Sequence, residues 1–243
     1  MLRILYQDDV LVAVDKPPGL LVHRTGLDAG ETQFALQLLR DQLGRPVWPA
    51  HRLDKGTSGV LLFALDAPTA SALGLAFEAS DAVRKTYRAV VRGWPPEAGL
   101  IDHPLKRMDD DARAGRDEVQ DAQTRYRTLA RYTLPLPYGR FASTRSALVE
   151  LQPLTGRRHQ LRRHMKHIAH PLIGDATHGK GPLNRAVAEL LGLQRLWLHA
   201  LRLELAHPVT GEPLCIEAEP DAGWERWSGY LKVEGEHPAP GNA

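Results

Sequence analysis

The residues of this chain best suited to chemistry lie between His51 and Gly59, in a polar loop that presents a single acid. That acid, Asp54, is flanked by the cations Arg52 and Lys55. Positive neighbours keep a carboxylate ionised, and the same cations can hold a polyanion close to it. The loop alone supports a catalytic carboxylate and a simple Asx-type turn ahead of a strand equally well.

The elements that must position this loop follow from hydrophobic periodicity. Val60–Leu65, directly after the loop, has the length and composition of a buried strand. Strand-like segments outnumber helices and rarely alternate strictly with them, which predicts an α+β fold with a mixed, mainly antiparallel sheet flanked by helices. The segment 102–123 lacks apolar periodicity and is predicted to be an exposed loop. The predicted strands cover 2–6, 10–14, 60–65, 84–93, 124–132, 145–152, 196–205 and 213–218, and the predicted helices cover 34–43, 68–80, the basic segment from 155, 183–193 and 224–231.

The composition is that of a globular protein with a local basic face. The chain has 243 residues, of which 43% are hydrophobic and 25% charged, and a formal net charge of +2. Leu154–His170 contains five arginine and lysine residues and no acid, which favours a polyanionic partner. The single cysteine, Cys215, lies in an apolar run and is predicted to be a buried, inert thiol. With no signal peptide or membrane span evident, we expect a cytoplasmic protein.

Several familiar chemistries are disfavoured by the motifs. Four histidines crowd residues 159–170, but no acid lies among them and neighbouring arginines would repel a divalent cation, so no metal is expected. A glycosidase needs a second carboxylate, and a serine hydrolase of the G-x-S-x-G type needs its nucleophile elbow. Glycine-rich nucleotide loops are also absent. One carboxylate and a basic, phosphate-binding surface remain, with no cofactor.

Five ordered motifs between about residue 2 and residue 218 resemble those of the RluA-type pseudouridine synthases. The resemblance implies a catalytic cleft across a mainly antiparallel sheet. Further similarity, including His170-Pro171-x-Ile173-Gly174-Asp175, is greatest to the branch that modifies uridine 65 of tRNA. The five motifs are Lys16-Pro17-x-Gly19-x-x-Val22-His23; His51-Arg52-Leu53-Asp54-x-x-Thr57-Ser58-Gly59; Lys85-x-Tyr87-x-Ala89-x-Val91-x-Gly93; Leu154-x-Gly156-Arg157-x-His159-Gln160-Leu161-Arg162-x-His164; and Leu198-His199-Ala200 with His207-Pro208-x-Thr210-Gly211.

The resemblance implies catalytic roles for three residues. Asp54 attacks the nucleoside or removes a sugar proton, Arg162 pairs with that carboxylate, and Tyr87 stacks on the flipped uracil and assists proton loss from C5. The alternatives are a phosphate clamp for Arg162 and a half-buried strand residue for Tyr87. The residues expected to contact RNA are Arg52, which would fill the gap left in the RNA stack, Lys55, the phosphate-binding Arg157, Arg158 and Arg163, and Leu198, an apolar wall beneath the base.

Two alternatives to a tRNA-modifying isomerase are open from the sequence. The same chemistry could act on ribosomal RNA, because the catalytic motifs do not encode the substrate. A non-catalytic RNA-binding protein could use the same scaffold. We expect a single catalytic domain over 1–232 without an S4 RNA-binding domain, a flexible tail over 233–243, and a monomer, although no pattern in the sequence reports the oligomeric state.

Overall fold

The computed structural model describes residues 1–23, 30, 32–79, 81–108 and 118–231. The tail predicted for 233–243 lies outside the described residues. The extent of a single domain over 1–232 stays a prediction. The strands are β1 (Arg3–Gln7), β2 (Leu11–Lys16), β3 (Trp48–Pro49), β4 (Ser58–Ala64), β5 (Val83–Arg92), β6 (Ala98–Asp102), β7 (Leu105–Lys106), β8 (Val119–Gln120), β9 (Gln123–Leu134), β10 (Thr144–Pro153), β11 (Leu198–Ala206) and β12 (Pro213–Glu217).

Ten of these strands form one sheet with the order β1-β2-β4-β11-β5-β10-β9-β6, while β12 pairs with β11 and β3 with β4. The pairing of β11 with β4 is parallel, and the other pairings in the sheet are antiparallel. The helices are α1 (Ala35–Leu43), α2 (Ala67–Glu78), α3 (Gln160–His167), α4 (Gly181–Leu191) and a 3-10 helix (Ala222–Tyr230). The predicted α+β class is confirmed. None of the helices in the described part of the chain is long and apolar enough to cross a membrane.

Helices cover both faces of the sheet, which explains why its central strands are apolar without alternation. In β4, Leu61 and Phe63 pack in a core that includes residues of α1, whereas Val60 and Leu62 face a core that includes Leu73 of α2. The next part of the sheet repeats this arrangement. Residues 89 and 91 of β5 pack against α3, and residue 90 packs in the core that contains α4 and the 3-10 helix.

Three sequence predictions require correction. Asp102 ends a strand, β6, and the predicted loop that follows contains a small two-stranded sheet, β7 with β8; residues 109–117 of that loop lie outside the described residues. The closing helix, predicted over 224–231, is a 3-10 helix, Ala222–Tyr230, with the i→i+3 hydrogen bonding of that form. Cys215 is exposed, because Ile216 beside it is the residue of β12 that points into the core.

Candidate active site

The loop that carries Asp54 is held against strand β11 by close backbone packing. The amide of Thr57 donates to the carbonyl of Asp54 at 3.0 Å, which closes a turn. At Gly59, where φ is +106°, a Cβ atom would lie 2.2 Å from the carbonyl oxygen of Ala200. Only glycine fits this conformation and this approach, so the loop geometry depends on that residue.

Asp54 is paired with Arg162, as the resemblance implied. Nη1 of Arg162 donates to Oδ2 of Asp54 at 2.8 Å across 108 residues of sequence. The Asp54 side chain is 27% exposed and that of Arg162 9%. The carboxylate is therefore accessible from solvent while its counter-ion lies beneath it.

Arg162 is itself anchored by a second carboxylate that the sequence analysis did not select. Its Nε and Nη2 donate to Oδ2 and Oδ1 of Asp175, each at 2.8 Å, and the Asp175 side chain is fully buried. Burial opposes the charge of Arg162, but the hydrogen bonds to Asp175 and the negative charge of Asp54 raise its pKa. The guanidinium thus stays charged with three of its N–H groups directed at carboxylates.

The turn that carries Asp175 is fixed by the backbone and by α4. Oδ1 of Asp175 also accepts from the amides of Thr177 and His178, each at 2.9 Å. Asn184 of α4 accepts from the Gly174 amide at 3.0 Å and donates to the Asp175 carbonyl at 2.9 Å. Burial opposes ionisation of Asp175, yet the hydrogen bonds from Arg162 and these amides hold its pKa below the usual range. Asp175 is therefore an anion in a preformed site.

Two histidines adjoin the ion pair. Nε2 of His159 lies 3.8 Å from Oδ1 of Asp54, and Nδ1 of His159 is hydrogen-bonded to Nε2 of His178 at 3.1 Å. His159 adopts a left-handed conformation, φ +53°, immediately before α3. Burial lowers the pKa of both imidazoles, although the negative charges of Asp54 and Asp175 act in the opposite direction. Neutral rings can share one hydrogen in this way, one as donor and the other as acceptor.

Lys16, at the end of β2, hydrogen-bonds both to the segment that follows β2 and to the Asp54 loop. Its side chain is fully buried, and Nζ donates to the carbonyls of Pro17, Leu20 and Lys55 at 2.9, 2.7 and 3.2 Å. Burial lowers the pKa of Lys16 to about 7, although the charge of Asp54 opposes this shift. The three carbonyl contacts join the opening motif of the chain to the Asp54 loop.

Tyr87 lies on the face of β5 that packs against α3, near enough to Asp54 to interact with its charge. It packs at the boundary of two core clusters and pairs with Ala200 of β11 in register. Burial, with the charge of Asp54 as a second cause, raises the pKa of the Tyr87 phenol. The phenol is therefore protonated at neutral pH.

The residues predicted to contact RNA lie in three separate parts of the structure. Arg52 is exposed on the Asp54 loop and Lys55 is half-buried there. Leu198 is 3% exposed and belongs to the core beside Tyr87, so its contact with a base stays a prediction. The three remaining arginines, Arg157, Arg158 and Arg163, line one hollow of about 160 Å³. Its other lining residues come from the β7–β8 region and from the turn before α3: Lys106, Arg107, Met108, Gln120 and Gly156.

The histidines that raised the question of a metal site have other partners. His164 bonds to Thr124 Oγ1 and to the His103 carbonyl, both at 2.9 Å, and His170 bonds to the Arg92 carbonyl at 2.8 Å. His167 stacks on His103. Among the described residues, no group of three or more His, Cys, Asp or Glu side chains is arranged to hold a metal ion.

Comparison with known proteins identifies the family that this fold and this site define. Residues 10–167, more than half of the chain, match the family model described as RNA pseudouridylate synthase, and the chain belongs to that family. It is 53% identical to the tRNA pseudouridine synthase C of Vibrio cholerae over 239 residues, which cover 97% of this chain and 96% of the relative. It is 49% identical to the protein of the same name from Yersinia pestis, with 94% and 93% covered.

Solved structures agree with this assignment. Human RNA Pseudouridylate Synthase Domain Containing 4 superposes with a TM-score of 0.70 at 31% identity, covering 95% of this chain and 94% of that one. Human RNA Pseudouridylate Synthase Domain Containing 1 has a TM-score of 0.70 at 26% identity, covering 91% and 84%. The predicted family and its fold are thereby confirmed.

Proposed function

We propose that this protein is a tRNA pseudouridine synthase that converts uridine 65 of tRNA to pseudouridine, with Asp54 as its catalytic carboxylate. The observation that carries the proposal is an accessible Asp54 whose oxygen is held 2.8 Å from a buried, doubly anchored Arg162. Relatives that share about half of its residues over nearly the full chain carry the name tRNA pseudouridine synthase C. That name and the motif resemblance support tRNA as the substrate.

The reaction is an isomerisation in which every non-hydrogen atom of the uracil is kept. The N1–C1′ bond breaks, the uracil turns, and a C5–C1′ bond forms; the C5 proton is lost and N1 takes up a proton. Asp54 promotes the first step either by attack on the nucleoside or by removal of a sugar proton. Neither route consumes a cofactor or a metal, since the detached base itself is recaptured.

Arg162 serves this chemistry by orienting Asp54. Its hydrogen bond fixes the position of the carboxylate, and the two contacts with Asp175 prevent the guanidinium from turning away. A target uridine inside an RNA helix must leave the base stack to reach Asp54. Tyr87 then offers the extruded uracil an aromatic face, which stabilises a flipped base by about 1–3 kcal/mol.

The basic hollow formed by Arg157, Arg158 and Arg163 is proposed to bind phosphates of the RNA. The turn before α3 and the first part of that helix bring the three cationic side chains to a single hollow. The planar guanidinium group of arginine can form two parallel hydrogen bonds with phosphate oxygens. Arg52 and Lys55 on the Asp54 loop would add contacts nearer the target uridine. We further propose that the protein acts in the cytoplasm as a monomer, with one catalytic domain over residues 1–232.

The test is the modification pattern of unmodified RNA. A tRNA transcript with uridine at position 65 should gain one pseudouridine there, and a matched transcript with cytidine 65 should gain none. Carbodiimide labelling followed by primer extension locates the product. Product at another tRNA position would replace the proposed site, and product in ribosomal RNA alone would replace the proposed substrate.

A further inference from the structure

Where the β9–β10 hairpin meets the C-terminal end of β5, three arginines lie over three aromatic rings. We call this the arginine–aromatic patch. Cζ of Arg145 lies 4.2 Å from the ring centroid of Trp94. The corresponding distances are 5.3 Å for Arg140 over Phe141 and 5.8 Å for Arg92 over Tyr138. The members of the patch are Arg92, Trp94, Tyr138, Arg140, Phe141 and Arg145.

The patch is displayed by the β9–β10 hairpin. Tyr138 and Phe141 exchange two backbone hydrogen bonds, of 2.9 and 3.1 Å, across the two-residue turn formed by Gly139 and Arg140. Gly139 takes the left-handed conformation, φ +59°, that such tight turns require. The turn projects Arg140 and Phe141 into solvent, where 61% of Phe141 is exposed. A large aromatic ring in this setting is available to a partner.

The charge of the patch has one sign. The chain has no aspartate or glutamate in 132–149, which contains the hairpin, and none in 82–96, which contains β5 and Trp94. Arg140 and Arg145 are both exposed. The next acid along the chain after Trp94, Glu97, is paired with Arg131 of β9. A predominantly cationic surface of this kind attracts a polyanion and repels other cationic surfaces.

The stacking geometry suits RNA in particular. A guanidinium held over an aromatic ring can form paired hydrogen bonds with phosphate oxygens through its N–H groups. The ring also holds the guanidinium in place, so less side-chain freedom is lost on binding. An exposed aromatic face such as that of Phe141 can in addition take up an unpaired base.

The patch and the catalytic cleft are joined by a single rigid strand. Tyr87, Ala89 and Val91 alternate on the face of β5 that meets α3, and on β10 Arg145 has the same parity as Ala147 of that core. Gly93, whose amide donates to the Arg145 carbonyl, lies six residues after Tyr87, which places Arg145 about 20 Å from Tyr87 along the strand. Arg92 has the opposite parity, so the patch covers both sides of this end of the sheet. A folded RNA that reaches Asp54 can extend over that distance.

We propose that the arginine–aromatic patch is a second RNA-binding site, which holds the tRNA backbone away from the target uridine. This inference rests on the proposed function, because it takes tRNA as the ligand. The patch would fix the orientation of the RNA on the sheet, while the residues around Asp54 carry out the reaction. A second anchor also raises affinity without adding contacts to the base.

The experiment measures binding of an unmodified tRNA transcript as a function of salt. The variants are Arg140→Ala and Arg140→Ala/Arg145→Ala, in an Asp54→Asn background that keeps the RNA unmodified. Each arginine that contacts a phosphate should contribute about 0.7–0.9 to the slope of log K against log salt. At 0.15 M salt its loss should raise Kd about 5-fold, and the double variant about 30-fold.

Arg40→Ala is the matched control, because Arg40 is an exposed arginine on α1 that pairs with Asp41. Its Kd and its salt slope should equal those of the parent. Arg140 lies on an exposed turn, so its replacement reports on binding without a change of core packing. A patch variant with the parent's Kd and slope would overturn the proposal. Formation of pseudouridine by the wild-type protein tests the proposed function separately, since a failed patch would leave that product in place.

Discussion

Arg162 and Asp175 form a two-point ion pair, in which Nε and Nη2 of the guanidinium each lie 2.8 Å from a different carboxylate oxygen. This pairing uses one edge of the guanidinium and leaves Nη1 directed at Asp54. A bidentate contact fixes the plane of the group as well as its position. The Asp54 carboxylate is therefore oriented by an arginine that Asp175 holds in place.

We predict that Asp175→Asn lowers kcat about 100-fold and leaves the Kd for tRNA within about twofold. An amide cannot accept both guanidinium N–H groups, so Arg162 can turn away from Asp54, and displacements of about 1 Å in an active site cost on this order. Single-turnover kinetics and filter binding measure the two quantities. Glu97→Gln, which breaks an exposed pair with Arg131, is the control and should match wild type. Equal losses in kcat and in RNA affinity would refute a positioning role.

We predict that Tyr87→Phe retains RNA affinity but turns over about 100-fold more slowly, whereas Tyr87→Ala loses both. The phenylalanine ring keeps the stacking face, and the magnitude for turnover is that of a lost proton-transfer group. Because the pKa of the Tyr87 phenol is raised, the wild-type rate should not rise through ionisation of this group between pH 7 and 9. If Tyr87→Phe turned over at the wild-type rate, the phenol would have no role in proton transfer and Tyr87 would act only by stacking on the base.

We predict that Lys16 makes folding stability depend on pH above neutrality. Its pKa is about 7 in the folded protein and about 10.4 in an unfolded chain. Between these values the unfolded state binds more protons, so the free energy of unfolding rises with pH by up to about 1.4 kcal/mol per pH unit. Below pH 7 lysine is protonated in both states and its contribution is flat.

Urea unfolding of wild type and Lys16→Met from pH 6 to pH 10 measures this contribution. The wild-type stability should gain on the variant as pH rises from 7 to 10, because methionine has no proton to lose. Parallel stability curves across this range would show that Lys16 has an ordinary pKa in the folded protein.

We predict that Gly59→Ala destabilises the protein by more than about 3 kcal/mol. The added Cβ would lie 2.2 Å from the Ala200 carbonyl oxygen, at a φ of +106°, so the strain of the backbone and the steric conflict act together. Gly74→Ala is the matched control. No atom lies within 4 Å of a Cβ at that helical position, and alanine there should stabilise α2 by about 0.5–1 kcal/mol. Similar melting temperatures for the two variants would contradict the packing described for the Asp54 loop.

The elements that repeat a simple pattern could be predicted from the sequence. The continuous apolar run predicts β4, and the helix predicted over 68–80 is α2, which follows an Asp66 N-cap and has Pro68 in its first turn. The helix predicted over 34–43 is α1, and Gly44 after it takes the left-handed conformation that commonly ends a helix. The pairing of Asp54 with Arg162 followed from the family motifs, not from the spacing of the two residues.

The parts that could not be predicted depend on contacts between distant segments. Asp175 lay in a motif that was noted, but nothing in the motif indicates that its side chain turns inward to meet Arg162. The β7–β8 pair consists of two residues on each side, too few to show periodicity. Lys16 belongs to the first family motif, but only the tertiary structure shows that its ammonium group is surrounded by three carbonyl oxygens.

The most direct test of the central claim is the release of tritium from C5-labelled uridine in unmodified tRNA, with Asp54→Asn beside wild type. The substitution keeps the size of the side chain and removes the charge that the reaction uses. Wild type should release one tritium per modified site, and the variant should release none while binding the same tRNA with unchanged affinity. Release by Asp54→Asn at the wild-type rate would contradict the assignment of Asp54 as the catalytic carboxylate.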